Sequence, residues 1–439
     1  MLDSDLNFPH HLPLNGADYF LLHLDHLMWQ SCRRRNLCIF TIALSSMSET
    51  DTLVLHVVAH PAYQWLCRLR LQHNWPFCIQ YWRLQADATV PEIMHYQLKA
   101  DEELPDALLA STMDIRRESA FSMAVCHRVG QAGALLVFTW HHVLMDAHGG
   151  EAFIRYLGQR DTHQAFAWVA DTTVSLPFVQ RAKTAQAMKR FLFNAAQLPV
   201  LTLSPMVLKA NQLSLRYRFL AFTEAQSEQI YQRARTLGAG FLVSMFLLAA
   251  TACTVAAIQQ RRGLPLEDVL VPIPQDKRKR GSDSPVLGNQ VSFLFYRIPK
   301  SALTDISACT AELVEQMKSL MRNGSTNDYS VMMEFLRRIP GLFYRRMLKA
   351  PTQGLMASFY YSDTGDSLQQ FNEWLGQPVS DARHYPPNLY PPGITFIFSR
   401  CQGSLRLTLG YMAPVISDAE SEELLTSLSA LLLPEHGAR

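Results

Sequence analysis

Short apolar runs alternate with longer amphipathic segments along most of the 439-residue chain. Cys38–Leu44 (CIFTIAL), Phe77–Leu84 (FCIQYWRL), Phe121–Val129 and Ala134–Trp140 (ALLVFTW) have the length and the β-branched and aromatic content of strands. Gly130-Gln131-Ala132-Gly133 separates the last two, which predicts a hairpin. Asp51–Trp65 carries Leu and Val at helical spacing and predicts one helix. Glu151–Leu157 also alternates at helical spacing, so the segment between Trp140 and Glu151 falls at a strand-to-helix junction. A mixed sheet with helices packed on it fits this half better than a strictly alternating parallel one.

The second half reads in the same way. Arg216–Phe222 predicts a strand, and Thr223–Leu237 a helix begun by a threonine cap with Glu224 in its first turn. Phe241–Ile258 is eighteen residues without a charge, long enough to span a bilayer. It stands alone of its kind and is bounded by Gly and Pro, and it reads as a core helix. Val269–Pro272 and Phe293–Ile298 predict strands. Gly393–Phe398 and Ser404–Tyr411 flank Cys401-Gln402-Gly403 as a hairpin, and Asp418–Leu433 closes as an amphipathic helix with acidic residues in its first turn. Leu198–Leu215, with Pro199 and Pro205, is the expected crossing between halves 1–198 and 199–439.

Composition narrows the picture. At 439 residues the chain is natural for two cores, and 48% hydrophobic with 18% charged residues describes a folded globular protein. A net charge of +2 and the lack of a nucleic-acid motif argue against a nucleic-acid partner. The eight cysteines form no CxxC and lie mostly in apolar runs, where reduced cysteine behaves as a small hydrophobe. With no basic and apolar blocks at the N-terminus, this gives a cytoplasmic expectation.

The candidate chemistry lies at the junction, in His141-His142-Val143-Leu144-Met145-Asp146-Ala147-His148-Gly149-Gly150. Three readings compete. In the first, His142 is a general base and Asp146 fixes the loop, because a neutral imidazole accepts a proton at cellular pH. In the second, His141, His142, Asp146 and His148 bind zinc. Adjacent side chains on an extended backbone point opposite ways, however, and no downstream cluster completes such a site, so no metal is assigned. In the third, His141 and Asp146 form the HxxxxD pair of glycerol-lipid acyltransferases, whose accompanying proline–glutamate–glycine phosphate motif is absent.

His141-His142-x-x-x-Asp146-x-x-Gly149 resembles the signature of the chloramphenicol acetyltransferase-like superfamily, which includes peptide-synthetase condensation domains and the bacterial wax ester synthase/diacylglycerol acyltransferase group. Leu287-Gly288-Asn289-Gln290-Val291-Ser292 followed by Arg297-Ile298-Pro299 resembles the GNxxS…LP element of that last group, and Leu14-Asn15-Gly16-Ala17-Asp18 its N-terminal LSxxD segment. Ser362-Asp363-Thr364-Gly365 resembles a short Ser-x-x-Gly loop of the family. Two positions depart from the group: Ala147 stands where it usually has glycine, and GAGFLVSMF lacks its Asn-Asp pair.

The resemblance implies an α/β fold of two chloramphenicol acetyltransferase-like subdomains with a channel between them. It implies an acyltransferase in which His142 is the base, with His141 beside it and Gly149 in its loop. The donor would be an acyl thioester, acyl-CoA or a phosphopantetheine-linked acyl group on an acyl carrier protein. The acceptor would be a hydroxyl or amine, in lipid or secondary-metabolite acylation. In the superfamily the motif aspartate commonly meets an arginine; by position Arg278 is the candidate partner of Asp146. Asn289 and Ser292 are candidates for the channel wall or for holding an oxyanion. A stand-alone condensation enzyme making amides from carrier-bound substrates remains an alternative, as does a non-catalytic or metal-binding protein of the same fold.

Two basic segments add one expectation. Phe178–Leu198 carries Arg181, Lys183, Lys189 and Arg190 and no acidic residue, and Val331–Ala350 carries Arg337, Arg338, Arg345, Arg346 and Lys349. Each reads as a core-packing helix with a solvated basic face. Peripheral contact with an anionic membrane is the second reading.

Overall fold

The computed structural model describes residues 8–45, 50–72, 77–99, 102–130, 133–159, 168, 177–197, 199–204, 208–278, 286–349 and 355–433. Gln131, Ala132, Leu198, Pro205 and Ala350, all part of segments named above, lie outside the described residues.

The histidine motif grows from the middle of a six-stranded sheet. Its order is Glu373–Trp374, Gln377–Tyr385, Leu37–Leu44, Ala134–His141, Phe121–Arg128 and Met94–Leu98. Every neighbouring pair is antiparallel except Met94–Leu98 with Phe121–Arg128. Ala134–His141 is flanked on both sides, so almost all of it is buried, which is why it reads as a nearly unbroken apolar run. A second sheet runs Tyr360–Asp363, Ile394–Cys401, Ser404–Ala413, Ser214–Ala221. Val269–Asp276 and Val291–Ile298 form a separate antiparallel ribbon.

Two large apolar cores follow this division. The first gathers around Phe40, Phe138, Trp140 and Phe153; the second around Phe246, Leu248, Val271, Tyr296 and Phe396. Helix Val243–Arg261 is long and apolar enough to cross a membrane, yet most of it is buried in the second core. All eight cysteines are free thiols, seven of them buried.

Several sequence expectations are corrected. The single helix expected over Asp51–Trp65 is two, Thr50–Ala59 and Pro61–Cys67, because Pro61 lacks the N–H that would continue the first and instead starts the second. The strand expected over Phe77–Leu84 is only Tyr81–Leu84, since Phe77 is exposed and takes a positive φ of 71°. The Val331–Ala350 segment is also two helices, Asp328–Leu336 and Gly341–Lys349, broken at Pro340. Met94–Leu98 is polar and mostly exposed, and so carried no apolar strand signal.

Contacts cross the expected boundary at 198. Strand Gln377–Tyr385 crosses back to pair with Leu37–Leu44 in the first sheet. Just before it, the buried Trp374 donates its indole N–H to the carbonyl of Ile154 at 2.8 Å, and Leu375 N–H bonds the carbonyl of Gly158 at 3.0 Å. A Cβ on Gly158 would lie 2.3 Å from the Trp374 ring, so the tryptophan occupies space that only glycine leaves open. Trp374→Ala is expected to cost about 3–5 kcal/mol. Urea unfolding of the purified variant checks this.

Candidate active site

The motif turn is tied to the sheet edge before the helix begins. His141 is the last residue of its strand, opposite Leu37, and His142 N–H bonds the carbonyl of Asn36 at 2.8 Å. Leu144 N–H closes the turn onto the carbonyl of His141 at 2.8 Å, and Asp146 caps helix Ala147–Leu157 by accepting from Gly149 N–H at 2.8 Å. The two glycines are forced by close approach. A Cβ at Gly149 would sit 2.4 Å from the carbonyl oxygen of Val286, and one at Gly150 2.4 Å from the Trp140 indole.

Asp146 is saturated. Besides the cap, its carboxylate takes a bidentate pair from Arg278, Nη1 to Oδ2 at 3.0 Å and Nη2 to Oδ1 at 2.9 Å. Gln290 N–H bonds Oδ2 at 2.8 Å. The aspartate therefore joins the motif helix, the Gly288–Gln290 segment and Arg278, and no hydrogen bond runs from it to either histidine.

The adjacent histidines diverge. His141 is buried and turned away from the cavity: its Nδ1 accepts from Val143 N–H at 3.3 Å, so Nε2 carries the proton toward Asp25 Oδ1, 3.2 Å away. Asp25 also accepts from Asn36 N–H and Arg35. Burial would raise the Asp25 carboxyl, but its contact with His141, with help from Asn36 and Arg35, holds it below its ordinary value. His141 thus braces the loop and is not part of the cavity lining.

His142 is half-buried, lines the cavity and places Nδ1 3.1 Å from Asn289 Oδ1. The Asn289 amide is fixed by what its nitrogen does: Nδ2 donates to Asp18 Oδ1 and to the His142 carbonyl, both at 2.8 Å. Its Oδ1 must therefore face the ring, which puts the imidazole proton on Nδ1 and leaves Nε2 as the basic atom. Desolvation lowers the His142 pKa, against smaller opposing pulls from its own carbonyl and the charge of Asp146. Asp18 caps the first helix reciprocally with Asn15 and accepts Asn289 N–H at 2.7 Å; burial pushes its carboxyl up to about 7 against these hydrogen bonds.

The cavity is about 270 Å³ and largely apolar, with Phe20, Leu24, Phe293, Phe295, Met356 and Leu389 in its wall. Its polar lining includes His142, His148, Arg278, Ser362, Thr364 and His384. Two residues proposed from sequence for oxyanion binding are corrected. Asn289 has both amide hydrogens committed, as is its backbone N–H. Ser292 is fully buried, and strand alternation turns Val291 and Phe293 to the cavity and Ser292 the other way. Its Oγ has no hydrogen-bond partner among the described residues.

A second polar cluster went unnoticed in the sequence. Glu151, on the motif helix, meets His384 Nε2 at 2.6 Å, His148 Nδ1 at 3.2 Å and Ser367 Oγ at 2.9 Å. Burial alone would raise the Glu151 carboxyl, but hydrogen bonds from the two histidines hold it well below the carboxylate range. For His148, burial is outweighed by the hydrogen bond and charge of Glu151, pushing it up to about 9. Only His148 could have been flagged from the motif; Asp18, Asp25, Glu151, Ser367 and His384 are scattered and carry no local pattern. Among the described residues no three His, Cys, Asp or Glu side chains gather as a metal site.

No protein-family model matches the chain, and no curated protein does. Solved structures do. The TRI3 trichothecene 15-O-acetyltransferase from Fusarium sporotrichioides superposes with a TM-score of 0.72 at 13% identity, covering 96% of this chain and 94% of that one. The first condensation domain of the CDA synthetase gives a TM-score of 0.68 at 15% identity over 98% and 97% of the two chains. This is the two-subdomain chloramphenicol acetyltransferase-like fold. A starter condensation domain of rhizomide synthetase, solved with C8-CoA and Leu-SNAC, shares it at a TM-score of 0.63 and 13% identity, over 96% of this chain and 94% of that one.

A base whose pKa is lowered loses function only as pH falls through that lowered value. With a neutral acceptor, the acid-side midpoint of kcat/KM is expected below the ordinary imidazole value of 6.5. In Asn289→Leu, where Nδ1 loses its acceptor, kcat/KM should fall at least about tenfold. A pH–rate profile of the two proteins measures both.

Proposed function

We propose that this chain is an acyltransferase that moves an acyl group from a thioester to a hydroxyl or amine acceptor. The observation that carries the proposal is His142, with Nδ1 tied to Asn289 and its ring on the wall of an apolar cavity. Nε2 takes the proton of the acceptor, whose oxygen or nitrogen attacks the thioester carbonyl. The tetrahedral oxyanion collapses, the C–S bond breaks, and the leaving thiolate takes the proton back from Nε2. The base is thereby restored with no covalent enzyme intermediate.

The donor is proposed to be acyl-CoA or an acyl group on a carrier-protein phosphopantetheine. The fold shared with a condensation domain solved with C8-CoA and Leu-SNAC supports this choice. The apolar wall supports an aliphatic or aromatic acyl chain, in keeping with lipid or secondary-metabolite acylation. Amide formation between carrier-bound substrates is the second reading, supported by the similarity to the CDA synthetase condensation domain. Incubation with acyl-CoA and with acyl-carrier protein, each against alcohol and amine acceptors, separates the two.

Peripheral contact with the inner face of a membrane, in a cytoplasmic protein, belongs to the same proposal. Phe178 packs against Phe335 with ring centroids 5.6 Å apart, and from there the chain turns at Pro340 into helix Gly341–Lys349. Phe178, Leu342 and Phe343 are 65%, 69% and 64% exposed, with Lys183, Lys189, Arg190, Arg338, Arg346 and Lys349 exposed on the same helices and the turn.

His142→Ala should lower transfer by about 100- to 10,000-fold while leaving the unfolding temperature near wild type. Single-turnover thioester assays with parallel calorimetry test it, and wild-type-like turnover would remove the base. Wild type should co-sediment with vesicles containing anionic lipid and be released by salt. A Phe178→Ser, Leu342→Ser, Phe343→Ser triple variant should bind about tenfold more weakly.

A further inference from the structure

His384 comes from the returning strand, so it belongs to the opposite half of the sequence from His142, yet both line one cavity. It pairs with Phe40, which pairs with Phe138, and its ring packs on Phe40 with centroids 4.7 Å apart. Its Nε2 lies 2.6 Å from Glu151 Oε1. Glu151 is 1% exposed and is held in turn by Ser367 Oγ on the same oxygen and His148 on the other. The ring is therefore fixed on one face and at one nitrogen. Nε2 is thus the ring nitrogen engaged with the protein, and the ring lines the cavity.

An imidazole built this firmly, in a wall that is otherwise mostly apolar, is costly to leave unmatched when a ligand displaces water. We propose that His384 recognises the acyl acceptor. Its Nδ1 bonds a second polar group of that molecule, while the reacting group is delivered to His142. The acceptors favoured are then molecules with two separated hydrogen-bonding groups, such as a diol or an amino alcohol. This rests on the transferase reading. Two strands across and four residues along put the two histidine backbones roughly 16 Å apart. Each imidazole reaches several ångströms inward, so the two acceptor groups are several bonds from one another. Glu151 and Ser367 are positioning residues for the ring.

The probes are α,ω-alkanediols of six to ten carbons against the matching 1-alkanols, with one acyl-CoA as donor. Wild type should show a lower KM for the diol. His384→Leu should raise the diol KM about tenfold. The preference for the diol, read as the ratio of the 1-alkanol KM to the diol KM, should fall by the same factor. His384→Gln, which retains a donor for Glu151, is the second variant should His384→Leu fail to fold. Equal KM for diol and alkanol in wild type, or an equal rise for both in the variants, would make His384 structural and overturn the proposal. Calorimetric binding of diol and alkanol to wild type and His384→Gln reads the same preference without turnover. An inactive wild type that still prefers the diol through His384 would remove the transferase reading and keep the site.

Discussion

The orientation of the Asn289 side-chain amide sets the tautomer of the His142 imidazole. Its two N–H groups are taken by a buried carboxylate and by the backbone of the histidine it serves, so the oxygen is left to face Nδ1. Neither acceptor is free to move: Asp18 sits in the first turn of helix Gly16–Cys32, and the His142 peptide is pinned to Asn36. Asn15 adds a further bond, donating to the Asn289 carbonyl at 3.0 Å. Three remote parts of the sequence therefore agree on one tautomer, and buried networks satisfied in this way hold a single geometry.

Asp146 does the corresponding work for the backbone. It is a helix cap and an ion-pair partner at once, and its pair with Arg278 is nearly closed to solvent. Losing one member of such a pair costs about 3–5 kcal/mol because the other is stranded. The glycine pair that follows lets Val286 and Trp140 press against the first turn of the motif helix. The His142 ring bonds Asn289 instead, so ring position and backbone position are set by different side chains of one ten-residue segment.

How much of this was legible in sequence depended on whether the signal was local. The strand-to-helix junction, the Thr223 cap, the core helix Val243–Arg261 and the hairpin around Gln402-Gly403 follow from periodicity and turn chemistry within a few residues. Breaks at Pro61 and Pro340 were legible too, yet the apolar periodicity on either side masked them. The exposed strand Met94–Leu98 and the returning strand Gln377–Tyr385 owe their places to tertiary pairing and have no apolar run of their own. In the site, His142, Asp146 and Gly149 stand in one short pattern. The partners that set proton positions, Asp18 and Asn289, are 271 residues apart. Strand parity turned Ser292 away, which a motif string does not encode.

The returning strand also orders events during synthesis. Leu37–Leu44 is made before either partner, and on one side Ala134–His141 follows within about a hundred residues. Its other edge stays unpaired until residue 385 has left the ribosome. An apolar strand with open N–H and C=O groups is the kind of edge that recruits other chains. Until those later residues emerge, this polypeptide must keep that seam from closing on the wrong neighbour.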